Sequence, residues 1–145
     1  MENATSNELA KVLVIEPRRI PYETYLKMDK TTLIRAVGGN LDTYISDDGS
    51  VAWICNSDRD TLSLFPNRLV LEKDYTVCDI ILGTFIIAGI GTDGKYTSLT
   101  DEQIEYYTDF YYVPIKLEYY NGRPALEYDL DVDTPSGTHC CPVFV

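Results

Sequence analysis

Histidine is almost missing from this chain of 145 residues, which holds one, His139, together with one tryptophan, four cysteines, and 12 lysines and arginines against 23 aspartates and glutamates. Each scarcity closes off a class of function. At a formal net charge of −11 there is no broad basic surface to meet a phosphate backbone, so direct nucleic-acid binding is excluded. One histidine next to Cys140 and Cys141 is poor material for a Cys-His catalytic pair, because adjacent side chains on an extended tail seldom face one another. The longest apolar run, Ile80 to Ala88, is far shorter than the roughly 20 residues of a membrane-spanning helix. The N-terminus has neither a basic lead nor an apolar signal core. A cytoplasmic protein with no membrane partner and with free thiols is expected.

Metal and cofactor chemistry is equally thin. His139, Cys140 and Cys141 with either Cys55 or Cys78 form the one set of nitrogen and sulfur donors sufficient for a tetrahedral zinc ion, but their spacing departs from paired Cys-x-x-Cys ligands. Gly89 to Gly94 resembles a phosphate-binding glycine loop but lacks the lysine-serine or lysine-threonine ending. Asp93-x-Lys95 lacks the companions of a nuclease site, and Asp129, Asp131 and Asp133 are weak evidence for Mg²⁺ in so acidic a chain. No catalytic residue, no metal site and no cofactor is therefore expected; the reading is of a non-enzyme.

What is present suffices for one folded domain: 45% of residues are hydrophobic and no biased tract divides the chain. Residues 1–10 read as a flexible N-terminus, 11–133 as a single domain and 134–145 as a C-terminal tail. Val12 to Ile15 is a short apolar run that predicts a strand buried on both faces, ended by Pro17. Asp29 before Thr31 to Val37, with Gly38-Gly39 after, predicts a short capped helix. Leu41 to Ser46 and Val51 to Cys55 flank Asp48-Gly49, a hairpin signal. Pro66-Asn67 punctuates two shorter apolar runs, 62–65 and 68–71. Ile80 to Ala88 predicts one central strand, with Gly83 as a bulge or close backbone approach, and Gly89 to Gly94 the loop after it.

Thr100-Asp101-Glu102-Gln103 has the form of a capping box and predicts a helix from this point to about residue 112, with Ile104, Tyr107 and Tyr111 turned inward. Two alternating segments, 115–119 and 125–132, joined through Asn121-Gly122, predict a C-terminal β-hairpin. The sum is an α+β fold with a mostly antiparallel sheet, two short helices and that hairpin.

The order of Cys55-Asn56, Pro66-Asn67-Arg68, Asp79 to Phe85 and Ser98 to Gln103 resembles a family of domains of unknown function found in phages, plasmids and conjugative elements of Firmicutes, often among accessory and anti-restriction genes. The resemblance covers roughly residues 11–112. It implies a small protein of a mobile element that manages its host, and it assigns no catalytic or binding residue.

The acidity is unevenly placed. Residues 1–40 contain five acids and six bases, whereas residues 98–133 contain nine acids against Lys116 and Arg123. On the predicted second helix Asp101, Glu105 and Asp109 recur every four residues, about 6 Å apart along the axis. On the predicted last strand Glu127, Asp129, Asp131 and Asp133 alternate with apolar residues, about 6.8 Å apart on one face. Both spacings approach that of successive phosphates. Eight of twelve tyrosines lie between Tyr96 and Tyr128, and tyrosine anchors interfaces, with Tyr106, Tyr112 and Tyr120 expected at or near the surface.

These features predict an anti-defence protein of the anti-CRISPR or anti-restriction kind. It would cover the nucleic-acid-binding surface of a host nuclease complex, or of another basic nucleic-acid-binding protein, through Asp101, Glu105, Asp109, Tyr112, Tyr120, Glu127, Asp129, Asp131 and Asp133. A small-ligand module that binds or sequesters a nucleotide or metabolite, with aromatics and the Gly89–Gly94 loop around its pocket, is the alternative.

Overall fold

The computed structural model describes residues 9–57, 65–71, 77–129 and 143–144, the last two by their backbone. The first strand, β1 (Leu9–Ile15), pairs antiparallel with β2 (Tyr22–Lys27) on one side and β7 (Phe85–Ile90) on the other. Beyond β7 lie β4 (Val51–Asn56) and then β3 (Leu41–Ile45), again antiparallel, so the order is β2-β1-β7-β4-β3. A short β8 (Tyr96–Thr97) pairs with the end of β7. The predicted burial of Val12 to Ile15 on both faces follows from this central position; all four are 5% exposed or less.

Each face of the sheet has its own cover. Val12, Val14, Ile54, Ile86 and Ala88 meet α1 (Lys30–Val37) through Leu33 and Val37. The helix begins where Asp29 accepts the Thr32 amide at 2.7 Å and ends at Gly38, whose φ of 84° few residues other than glycine adopt readily. Leu13, Ile15, Val51, Cys55, Phe85 and Ile87 form the opposite face, covered by α2 (Asp101–Phe110) and by the pair β5 (Pro66–Leu71) and β6 (Val77–Leu82). A third layer, β9 (Ile115–Tyr120), β10 (Arg123–Tyr128) and β11 (Val143–Phe144), packs Ile115 and Leu126 on Leu69. The fold is α+β, with mostly antiparallel strands, two helices among the described residues, and the expected hairpin at β9–β10.

Three expectations need correction. The run from Ile80 to Ala88 is two strands, because Gly83 at φ 75° turns the chain out of the β5–β6 pair and into the main sheet. Gly89 and Ile90 belong to β7, so the following loop is only the turn closed by Gly91 N–H to the Lys95 carbonyl at 2.8 Å. β10 ends at Tyr128 rather than at 132. β2 was not anticipated: Tyr22, Glu23 and Tyr25 are exposed on this edge strand, which leaves no clear apolar alternation to read. Residues 1–8, 62–64 and most of the C-terminal tail lie outside the described residues.

A buried polar knot joins these layers. Asn67 donates from Nδ2 to the carbonyls of Ile15 (2.8 Å) and Gly83 (2.7 Å), tying β5 to the end of β1 and to the corner between β6 and β7. Arg68, 1% exposed, donates to the carbonyls of Tyr111 and Arg19, both at 2.6 Å, and to Asn67 Oδ1 at 2.6 Å. Burial pulls its guanidinium down to about 9, while Tyr111 and Asp129 act to raise it. It therefore carries its charge at neutral pH.

Candidate functional site

The second helix is fixed at both ends. Thr100 accepts the Gln103 amide at 3.1 Å, and Gln103 Oε1 accepts the Thr100 amide at 2.9 Å, completing the predicted capping box. Just before it, the Leu99 amide donates to the Lys11 carbonyl and the Lys11 amide to Ser98 Oγ, holding the helix start against β1. Along its inner face Tyr107 meets Trp53 edge to face, Tyr111 meets Phe85 in the same manner, and Trp53 Nε1 donates to the Tyr111 hydroxyl at 3.1 Å. Arg68 holds the Tyr111 carbonyl at the far end. Ile104, Tyr107 and Tyr111 thus face inward as predicted, and the outer face is presented on a fixed rod.

That outer face carries Asp101, Glu105 and Asp109, all exposed. Asp101 is partly neutralised by the Lys11 ammonium at 3.0 Å, and the Asp101 carboxylate is the main cause that raises the Lys11 ammonium above its ordinary value. Glu102, also exposed, stands one step round the helix, followed by Tyr106 and Phe110 at 58% and 46% exposure. An open cleft of about 650 Å³ separates this side from the β3–β4 turn, bringing Asp47 and Asp48 to Glu102, Tyr106 and Tyr107. Asp48 is engaged within its own turn, accepting both hydroxyls of Ser46 and Ser50 and the Ser50 amide, and the Ser50 hydroxyl is the leading cause of its lowered pKa. A cleft with these walls favours cations over phosphates.

The second acidic row does not form as expected. Glu127 is half-buried and accepts the Tyr120 hydroxyl. Asp129 lies past the end of β10, where its amide donates to the Pro114 carbonyl at 2.7 Å and turns its side chain inward. It is 1% exposed and paired with Arg18, so it belongs to the polar knot and not to a solvated face. Asp131 and Asp133 lie outside the described residues. Tyr106 and Tyr120 are exposed and Tyr112 is half-buried, with Tyr120 placed on the hairpin apart from the helix. The helix row is the one that the structure assembles, and it adds Glu102, Asp47 and Phe110. Glu102 was legible only as part of the capping box, and Asp47 only as part of a turn.

Among the described residues, no three His, Cys, Asp or Glu side chains gather as a metal site. Cys55 is buried in the core; His139, Cys140 and Cys141 and the Cys78 side chain lie outside the described residues. Gly89 to Gly94 has no place in the wall of the cleft beside α2, nor in that of a second, of about 260 Å³, between Tyr44, Trp53, Val70 and Tyr111. Among the described residues no helix is long and apolar enough to cross a membrane.

Residues 10–112 match the model of a family described as Domain of unknown function (DUF3846), which is most of the chain. The chain belongs to this family. The DUF3846 match runs from β1 through the end of α2, and leaves out the β9–β11 layer. Within it, the segments that carried the resemblance are tie points of the fold. Asn56 Nδ2 reaches the Val37 carbonyl at 3.3 Å, Asn67 and Arg68 form the knot, Gly83 makes the corner and Thr100 with Gln103 caps α2. No curated protein and no solved structure matches the chain.

Proposed function

We propose that this protein is a non-enzymatic inhibitor whose α2 face occupies a basic nucleic-acid-binding surface on a partner protein. The observation that carries this reading is that the stripe works against the helix that bears it. Asp101 and Glu102 sit in the first turn, where the helix dipole favours acids, but Asp109 sits exposed in the last turn, where it is disfavoured and where the helix itself carries no basic residue. Asp101, Glu105 and Asp109 are also like charges four residues apart, a spacing that destabilises helices. Dipole and spacing both count against Glu105 and Asp109 in the helix itself, whereas a cationic surface would gain from them. Tyr106 and Phe110 beside them supply the aromatic contact that interfaces favour.

The resemblance to proteins of phages and mobile elements points to a host defence nuclease, of the CRISPR or restriction kind, as the partner, acting in the host cytoplasm without direct nucleic-acid contact. The experiment is affinity capture from host lysate with the wild-type protein and with the Glu105→Lys/Asp109→Lys variant. Wild type should retain a basic nucleic-acid-binding protein, in a complex weakened by salt, and the variant should lose it while keeping its circular dichroism spectrum. Equal capture by both would remove the helix stripe from the mechanism.

A further inference from the structure

The main sheet ends at β3, whose single neighbour among the described residues is β4. Ser46 donates its amide to the Val51 carbonyl and Ser57 its amide to the Asn40 carbonyl, which sets the alternation of this ladder. Residues 40, 42, 44 and 46 direct their backbone groups to β4, and Leu41, Thr43 and Ile45 direct theirs outward from the sheet. The strand Leu41-Asp42-Thr43-Tyr44-Ile45 contains no lysine, arginine or proline, the usual guards of an open edge, and its one charge, Asp42, is engaged by the Tyr44 hydroxyl. Thr43, Tyr44 and Ile45 are exposed, the last two at 45% and 53%. The other edge, β2, does carry such a guard in Lys27, with Pro21 just before the strand.

We infer that β3 pairs antiparallel with β3 of a second copy, about a two-fold axis at Thr43. This register selects itself on charge. Centred on Thr43, every outward-directed residue finds an outward-directed partner: Thr43 with Thr43, and Leu41 with Ile45 in both senses. Asp42 of each copy then faces Tyr44 of the other. These two groups already bond within one chain, where the Tyr44 hydroxyl donates to Asp42 Oδ2 at 2.9 Å. Centred on Asp42, two carboxylates would meet directly, a destabilising pair; centred on Tyr44, Leu41 would face Asp47. The Thr43 register also gives the exposed Ile45 an apolar neighbour on the face that Leu41 shares with α1. One continuous sheet then runs through two copies, with both α2 helices on the same side.

Sedimentation velocity on the full chain, from about 1 to about 200 µM, tests the association. A monomer–dimer equilibrium is expected, weakened at least about tenfold by Ile45→Lys. Because each copy carries a net charge of −11, salt should tighten the dimer, opposite in sign to its effect on a complex with a basic partner, so the two ideas fail separately. Register is read by mild oxidation of cysteine variants against wild type as background. Paired Thr43 residues would lie about 5.5 Å apart between Cα atoms, within disulfide reach, so Thr43→Cys should cross-link and Asp42→Cys should not. A wild-type monomer throughout the range, a dimer indifferent to Ile45→Lys, or cross-linking stronger at position 42 than at 43 would each overturn the inference.

Discussion

Arg68 donates through Nε to the carbonyl oxygen of Tyr111 at 2.6 Å, placing a buried cation at the negative end of the helix that bears the acidic stripe. The same guanidinium holds the carbonyls of Arg19 and Asn67, so one side chain joins β5, α2 and the segment after β1.

Replacing Arg68 by Met strands these acceptors and leaves Asp129 with less positive charge around it. A loss of about 3–5 kcal/mol is expected, read as the shift of a urea unfolding midpoint at constant slope. Arg68→Lys should recover little of it, since an ammonium lacks the planar fork that reaches three directions. A fully stable Arg68→Lys variant would show that charge alone holds the knot.

The two ends of the helix stripe should respond oppositely to the loss of their carboxylates. Asp109→Lys relieves the unfavourable dipole position and the repulsion from Glu105, and should stabilise the fold by about 0.5–1 kcal/mol while weakening partner capture. Asp101→Asn removes the Lys11 pair and a favourable first-turn acid, and should lower Tm. Thermal unfolding of the two variants side by side gives the comparison, and a fall in Tm for both would contradict it.

Alkaline pH should unfold the protein through its tyrosines. Burial pushes Tyr111 up to about 12, against the lowering effect of its bond from Trp53; burial and the bond to Glu16 push Tyr22 up to about 12 as well. The ordinary value is 10.0, so the unfolded chain ionises first. The stabilisation is complete below about pH 10 and disappears as pH rises towards 12. Denaturation midpoints measured across this window should fall, and Tyr111→Phe should flatten the fall. A midpoint independent of pH between 10 and 12 would contradict the assignment.

Gly83→Ala tests the corner between the sheets. At φ 75° a Cβ is strained, and a cost of about 1–2 kcal/mol is expected by chemical denaturation, with the corner kept. Gly83→Asn should cost less than Gly83→Ala, since asparagine tolerates this conformation better.

Much of the fold was legible because its signals are local. Asp29 and Gly38 bracket α1, Thr100 and Gln103 open α2, and Asp48-Gly49 and Asn121-Gly122 turn their hairpins within a few residues of chain. What escaped depends on distant partners. Asp129 continues a flawless alternation, and what draws it inward comes from elsewhere in the chain: the Pro114 carbonyl that takes its amide, and Arg18, 111 positions earlier. Gly83 sits in a run apolar enough for one strand, and the split appears only because β5 and β1 compete for its two halves. The acidic stripe was visible as a period of four, but its neighbours Asp47 and Glu102 meet only when a turn and a helix are packed on one sheet.

The place of β1 has a consequence for the order in which the molecule can be made. It leaves the ribosome before both of its neighbours; β2 follows it closely in the chain, but its other neighbour is β7, and Lys11 also waits for Ser98, 87 positions later. Until that stretch has emerged, Leu13 and Ile15 stand on an open edge with no Phe85 or Ile87 beside them. Synthesis that pauses between residues 30 and 85 leaves a sticky half-sheet, so slow codons there favour aggregation over folding.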